Sequence, residues 1–103
     1  MALELRPNCE YCDKDLPPSA ADARICSFEC TFCAECVETI LFNVCPNCGG
    51  GFERRPIRPS AEWRPGVSAA KHPPSGKRVL KTRDLAEVKA FAAQLKDIPP
   101  EKR

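Results

Sequence analysis

Cys26-Ser-Phe-Glu-Cys30-Thr-Phe-Cys33-Ala-Glu-Cys36 places four cysteines within eleven residues. Two more pairs flank it, Cys9-Glu-Tyr-Cys12 before and Cys45-Pro-Asn-Cys48 after. All eight cysteines of the 103-residue chain therefore lie in its first 48 residues. Four thiolates make one closed tetrahedral metal site, so eight suffice for two. A polypeptide of about fifty residues rarely stabilises itself by apolar burial alone and usually needs disulfides or a metal. The 43% hydrophobic fraction overstates the core, because it counts the cysteines and many alanines.

Disulfides require an oxidising compartment. The start, Met1-Ala-Leu-Glu-Leu-Arg-Pro7, has no basic stretch followed by an apolar run, so it does not read as a signal peptide. No run approaches the roughly 18 apolar residues that cross a membrane. The chain reads as cytoplasmic, with reduced thiols and no membrane partner. C-x2-C pairs close tight knuckles over one ion, which favours zinc over a disulfide framework or a redox pair. An iron–sulfur cluster uses the same ligand type, but the ferredoxin spacing is absent. The expected ligands are Cys9, Cys12, Cys26, Cys30, Cys33, Cys36, Cys45 and Cys48, holding two Zn2+ per chain.

The ligands can divide in two ways. A sequential division gives Cys9, Cys12, Cys26 and Cys30 to one ion, and Cys33, Cys36, Cys45 and Cys48 to the other. An interleaved division gives Cys9, Cys12, Cys33 and Cys36 to one, and Cys26, Cys30, Cys45 and Cys48 to the other. Interleaving links the two halves, so neither site forms without the other. Spacing alone leaves both open.

Charge is uneven along the chain. Residues 1–50 carry three basic against eight acidic residues, and residues 51–103 carry thirteen against six. An acidic cysteine module is ill suited to grip nucleic acid, which needs a positive surface. The formal net charge of +2 also treats the thiols as neutral. Eight thiolates around two dications bring it to about −2.

Three parts follow: a two-zinc cysteine-rich domain over residues 1–55, a Pro-rich basic linker over 56–78, and a C-terminal amphipathic helix within 79–98. Within the first part, Leu3 and Leu5 alternate with polar residues, as in a short strand. Cys36 to Val44 suits a short helix with Val37, Ile40, Leu41 and Val44 on one face. The Gly49-Gly50-Gly51 run lets the backbone turn so that amide N–H groups fold back on a metal-bound sulfur. The linker contains Pro56, Pro59, Pro65, Pro73 and Pro74 and few large apolar residues. It reads as extended, either disordered or laid across the surface. Beyond it, Thr82 to Asp97 reads as a helix capped by Asp84, with Leu85, Val88, Phe91, Leu95 and Ile98 on one face and Pro99 as its stop. A helix of about thirteen residues needs something to pack on. Docking on its own head or weak homo-oligomerisation ranks above a partner helix.

The order of the cysteines resembles a RING finger with cysteine in place of its histidine. Cys30-Thr-Phe-Cys33-Ala-Glu-Cys36-Val is similar to the RING stretch in which an aromatic precedes the fifth ligand and a helix follows the sixth. Cys45-Pro-Asn-Cys48 matches the C-P-x-C ending, and Leu16 falls where RINGs place a core hydrophobic. The resemblance covers residues 9–48. It implies a small metal-stabilised α+β fold: a treble of zinc knuckles with interleaved ligands and a short central helix. A narrower resemblance covers roughly residues 1–58. Leu5-Arg-Pro-Asn-Cys-Glu, Ile25-Cys-Ser-Phe-Glu-Cys-Thr-Phe-Cys-Ala-Glu-Cys-Val-Glu and Val44-Cys-Pro-Asn-Cys-Gly-Gly are similar to a bacterial cysteine-rich family catalogued as a domain of unknown function. That resemblance implies no activity.

RING ligases hold a ubiquitin-charged carrier enzyme on a groove. The groove uses an aliphatic between the first two ligands, an aromatic on the helix, the proline of C-P-x-C and often a basic residue after the last ligand. Here Glu10-Tyr11 occupies the first place, the helix lacks Trp and Gly49 follows Cys48. Pro46 alone is retained. His72 and Trp63 lie in the linker; His72 reads as a solvated residue and Trp63 as packed on the parent domain, with base stacking as its alternative. The basic residues from Arg54 to Arg83 are expected to meet the acidic head before nucleic acid. No Ser/His/Asp set and no open zinc ligand set is visible, so the chain is not expected to be an enzyme. The first reading is a structural zinc-binding module with a protein partner, an interaction or adaptor domain. The second is a nucleic-acid-associated protein using the basic linker, and the third a RING-like ubiquitin-ligase-type module.

Overall fold

A computed structural model of the chain describes residues 2–81 and 83–103. The cysteine run quoted above forms a hairpin leading into a helical turn. Strand β1 (Ala23–Ile25) pairs antiparallel with β2 (Thr31–Cys33), Arg24 opposite Phe32. Cys26, Phe28 and Cys30 make the hairpin's tip, and Glu29 adopts φ 65° to close it. Helix α1 (Ala34–Cys36) follows β2 directly and widens into a π-helical turn over Val37–Leu41. Phe42 and Asn43, both at positive φ, end that turn. A third strand, β3 (Glu53–Arg54), joins the other edge of β1, giving the order β2-β1-β3. The result is a small α+β head with a three-stranded sheet.

Its core is built from Leu5, Leu16, Phe32, Leu41, Val44 and Phe52 interleaved with six buried cysteines. Phe32 meets Phe52 edge-on at 5.4 Å between ring centroids. Those few large side chains are a thin core for a fold of this size, which leaves stabilisation to the sulfur clusters.

The N-terminal segment is not a strand. Leu5 is buried as its apolar spacing suggests, but the backbone carbonyls find donors elsewhere. Arg58 donates to Leu3 O (2.6 Å), the Ser75 N–H to Leu5 O (2.9 Å) and Arg55 to Arg6 O (2.8 Å). Guanidinium groups and a strap residue replace a ladder, so alternation alone gave the wrong element.

Residues 56–78 contain no helix or strand and run along the head as a strap. Arg78 ion-pairs with Asp13 (2.9 Å) and Asp15 (2.7 Å), so one basic residue meets the acidic head. The buried Asn8 side chain accepts from Val79 N (3.2 Å) and donates to Val79 O (2.9 Å), acting as one rung of a ladder. Arg83 then bridges Glu10 O (3.1 Å) and Asn47 Oδ1 (3.0 Å), with its guanidinium 5.6 Å from the Phe32 ring centre.

Helix α2 (Leu85–Leu95) is capped by Asp84, whose Oδ1 accepts from Ala86 N at 3.0 Å. Thr82, the expected first residue of this segment, lies outside the described residues. The helix docks on its own head through Val88 and Ala92, with Phe91 and Leu95 half-buried. Leu85 and Ile98 were expected on that face but are exposed, because the contact is only two turns long. Ala92 joins instead. Arg103 anchors the end by donating to Asn43 O (2.8 Å) and Gly49 O (3.2 Å).

Gly49 is the joint between head and helix. Its φ is +81°, and a Cβ there would sit 3.1 Å from Leu95 Cδ1. Gly49→Ala is expected to cost about 1–2 kcal/mol through backbone strain and to loosen α2. Chemical denaturation of the metal-loaded protein measures the first effect, and amide exchange over residues 85–95 the second.

Candidate metal centre

Loops and element ends, the places where a chain can turn a side chain inward, position every cysteine. The first knuckle is closed by Cys9 N–H donating to Lys14 O (2.8 Å) and Asp13 N–H to Cys9 O (2.9 Å), with Asp13 at φ 65°. Cys33 ends β2 and Cys36 ends α1, so a strand-to-helix junction sets their spacing. The last knuckle is closed by Gly49 N–H donating to Cys45 O (2.7 Å) and Cys45 N–H to Gly50 O (2.8 Å).

Two sulfur clusters result. The Sγ atoms of Cys9, Cys12, Cys33 and Cys36 all lie within 4.8 Å of one another. Those of Cys26, Cys45 and Cys48 do the same. Each group could hold a metal ion. The hairpin carries Cys26 away from Cys9 and Cys12, so the neighbours in space follow the interleaved order. Cys30 lies outside the second 4.8 Å group. It is buried, with Cys26 and Cys45 among the groups that act on its thiol. All eight cysteines are free thiols; the Cys12 and Cys33 sulfurs are 3.7 Å apart, far beyond a bond of about 2.05 Å.

Backbone N–H groups point at the sulfurs. Cys12 N donates to Cys9 Sγ (3.5 Å), Phe28 N to Cys26 Sγ (3.4 Å) and Gly50 N to Cys48 Sγ (3.4 Å). Such donors favour the thiolate form, the form that binds metal. The expectation that the glycine run turns an amide back on a ligand sulfur describes Gly50.

Burial acts the other way. It pushes the Cys36 and Cys45 thiols far above their ordinary range, helped at Cys36 by Cys33 and Cys9. Cys30 and Cys33 also rise, chiefly through burial. At Cys12 burial is outweighed by the Lys14 amide and the neighbouring thiols, and the value falls. Four sulfurs this close cannot all ionise without a cation among them.

The other sequence candidates lie elsewhere. His72 is exposed, on the strap. Trp63 is a correction: it does not pack on the head but is 80% exposed. The strap around it is held by Arg58, which donates to Leu3 O and His72 O, and by Ala69 N–H to Pro59 O (2.8 Å). Glu10, between the first two ligands, is buried; it accepts from Thr31 N (2.5 Å) and Arg6 (2.9 Å). Sequence reasoning missed Arg55, whose buried guanidinium also donates to Leu16 O (3.0 Å) and Pro17 O (2.9 Å). The signal was present: Arg55 follows β3 directly, and of two successive extended residues, Arg54 and Arg55, one faces inward.

The family model for "Protein of unknown function (DUF1272)" matches residues 2–58, and those residues hold every cysteine of both clusters. The chain belongs to the DUF1272 family. An uncharacterized protein of Rhizobium meliloti (strain 1021) is 54% identical over 88 residues, covering 85% of this chain and 98% of the relative. That alignment is longer than the family match, so the similarity extends into the strap and helix that pin this DUF1272 head. No solved structure matches the chain. Among the described residues, no helix is long and apolar enough to cross a membrane.

Proposed function

We propose that the chain is a structural two-zinc module that serves as a protein-interaction or adaptor domain and performs no catalysis of its own. The observation that carries this reading is the closed set of Cys9, Cys12, Cys33 and Cys36. A tetrahedral zinc with bonds of about 2.3 Å sets its sulfurs roughly 3.8 Å apart. The Cys12–Cys33 separation of 3.7 Å suits that edge, and an all-sulfur donor set suits zinc over harder cations. The second ion would take Cys26, Cys45 and Cys48, with Cys30 as the nearest fourth thiol, in a RING-like interleaved pairing. Zinc would supply folding energy and charge neutralisation. Eight thiolates saturate two such ions and leave no position for a reactive water.

Zinc must displace the protons that burial holds on Cys30, Cys33, Cys36 and Cys45. Each proton displaced makes the apparent affinity fall about tenfold per unit drop in pH. Affinity is therefore expected to weaken as pH falls from about 8 to 6.5, by on the order of 10²–10⁴ per unit. Competition against a chromophoric chelator across this range reads the slope; a flat profile would contradict thiolate ligation.

The nucleic-acid reading is less favoured because four of the nine basic residues from Arg54 to Arg83 are engaged. Arg55, Arg58, Arg78 and Arg83 all donate to the head. The ligase reading is less favoured because Glu10 buries a carboxylate where a carrier-enzyme groove needs an aliphatic. Fluorescence anisotropy of labelled single- and double-stranded oligonucleotides against the zinc-loaded chain tests the choice. The proposal expects no binding at about 0.15 M salt. Steep salt-dependent binding, lost when the basic residues of 54–83 are neutralised, would overturn it.

A further inference from the structure

We propose that the groove beside Trp63 binds an extended acidic peptide segment of a partner protein, one that places a bulky apolar side chain next to a carboxylate. This inference rests on the interaction-module reading and names where and what such a module would hold. The groove has a volume of about 620 Å³ and is walled chiefly by Leu3, Ile57, Pro59, Trp63 and Val67. Volumes of about 300–1,000 Å³ are typical of ligand sites. Trp63 is 80% exposed, Val67 51% and Ile57 46%, so three large apolar residues face solvent together on one ordered strap. Scattered exposed apolar residues need no explanation; a contiguous patch around an indole marks a contact surface.

The groove is framed before anything binds. Arg58 clamps Leu3 O and His72 O, both at 2.6 Å. His72 N–H donates to Ser68 O (2.9 Å), and Ser68 is buried. A preformed frame spares a ligand the cost of ordering it.

Charge selects the occupant. The charged residues lining the groove are Arg58 and Arg64, with His72 beside them and no carboxylate. The two acids adjacent to lining residues are engaged elsewhere: Glu62 accepts from Gly66 N (2.7 Å) and Glu4 pairs with Arg6 (3.5 Å). The Arg64 guanidinium makes no hydrogen bond or ion pair among the described residues. A cation at the rim of an apolar trough suits a carboxylate flanked by an aliphatic or aromatic side chain. Nucleic acid fits less well: one indole and one uncommitted arginine offer neither a stacking platform nor a phosphate track.

The test is a displayed library of random peptides, about twelve residues long, selected on the zinc-loaded full chain, with hits remade synthetically for anisotropy titration. The expected hits carry Asp or Glu beside Leu, Ile, Phe or Trp. Trp63→Ala should weaken them at least tenfold. Arg64→Glu should weaken them further and turn the preference toward basic peptides. Both positions are exposed, so metal content and melting temperature should not change. Enrichment of basic sequences, or no enrichment over the Trp63→Ala chain, would overturn the proposal. So would neutral apolar peptides or anionic vesicles binding through Trp63 where acidic peptides fail. Hits that bind both variants undiminished would sink the groove while leaving the interaction-module reading intact. No selectable peptide at all would sink both.

Discussion

Cys33→Ser is expected to unfold the entire head and to release metal from both clusters. Cys33 ends β2, opposite Ala23, and leads directly into α1. Its sulfur belongs to the cluster that ties the Cys9–Cys12 loop to the hairpin. Removing one thiolate breaks the sulfur cluster that joins the N-terminal loop to the sheet. Structural zinc supplies about 10–16 kcal/mol of apparent binding energy, which is folding energy when no site exists in the unfolded chain. A domain of this size has total stability of no more than about 5–15 kcal/mol, so the loss cannot be absorbed. The variant should show no cooperative melting by circular dichroism and less than one metal per chain. A cooperative transition with one metal retained would contradict the interleaved linkage.

Arg55→Ala is expected to destabilise the metal-loaded head by about 3–5 kcal/mol. The residue is only 1% exposed, and its guanidinium serves Arg6 O, Leu16 O and Pro17 O. Among the described residues no carboxylate pairs with it; burial, with Arg58 nearby, lowers its pKa. Truncation leaves three carbonyls without their donor and opens a void between the N-terminal segment and the sheet. Arg55→Met should recover little, because it fills the volume and restores no donor. Arg55→Lys should recover part, because one ammonium reaches fewer of the three acceptors. Urea denaturation with excess zinc measures all three. A change below about 1 kcal/mol for alanine would show that water replaces the donor at little cost.

The cysteine spacing made a set of metal ligands readable but left their division open, which the RING resemblance alone supplied. The apolar spacing after Cys36 made a helical turn readable, though it ends at Leu41 and not at Val44. Thiol spacing is a local property, and a knuckle is closed by hydrogen bonds within five residues. The amide donated to sulfur by Gly50 was readable within the Gly49–Gly51 run for the same reason, whereas Leu16 as a core residue followed from the RING resemblance. The misread parts depend on partners far away in sequence. Leu3 and Leu5 alternate like a strand, but Arg58 and Ser75, more than fifty residues on, take their carbonyls. The strap follows no period, because Asn8, Asp13 and Asp15 fix it one residue at a time. The docked face of α2 is set by where Gly49 leaves room for Leu95. Proline content could say that the strap is irregular; it could not say that Trp63 points outward.

The account stands on eight reduced thiols closing two metal sites, and the native mass of the purified full-length protein tests that most directly. Two zinc ions per chain, with all eight cysteines reduced once the protein is denatured and the metal chelated, is the predicted result. One zinc per chain, iron, or a metal-free mass carrying four disulfides would contradict it.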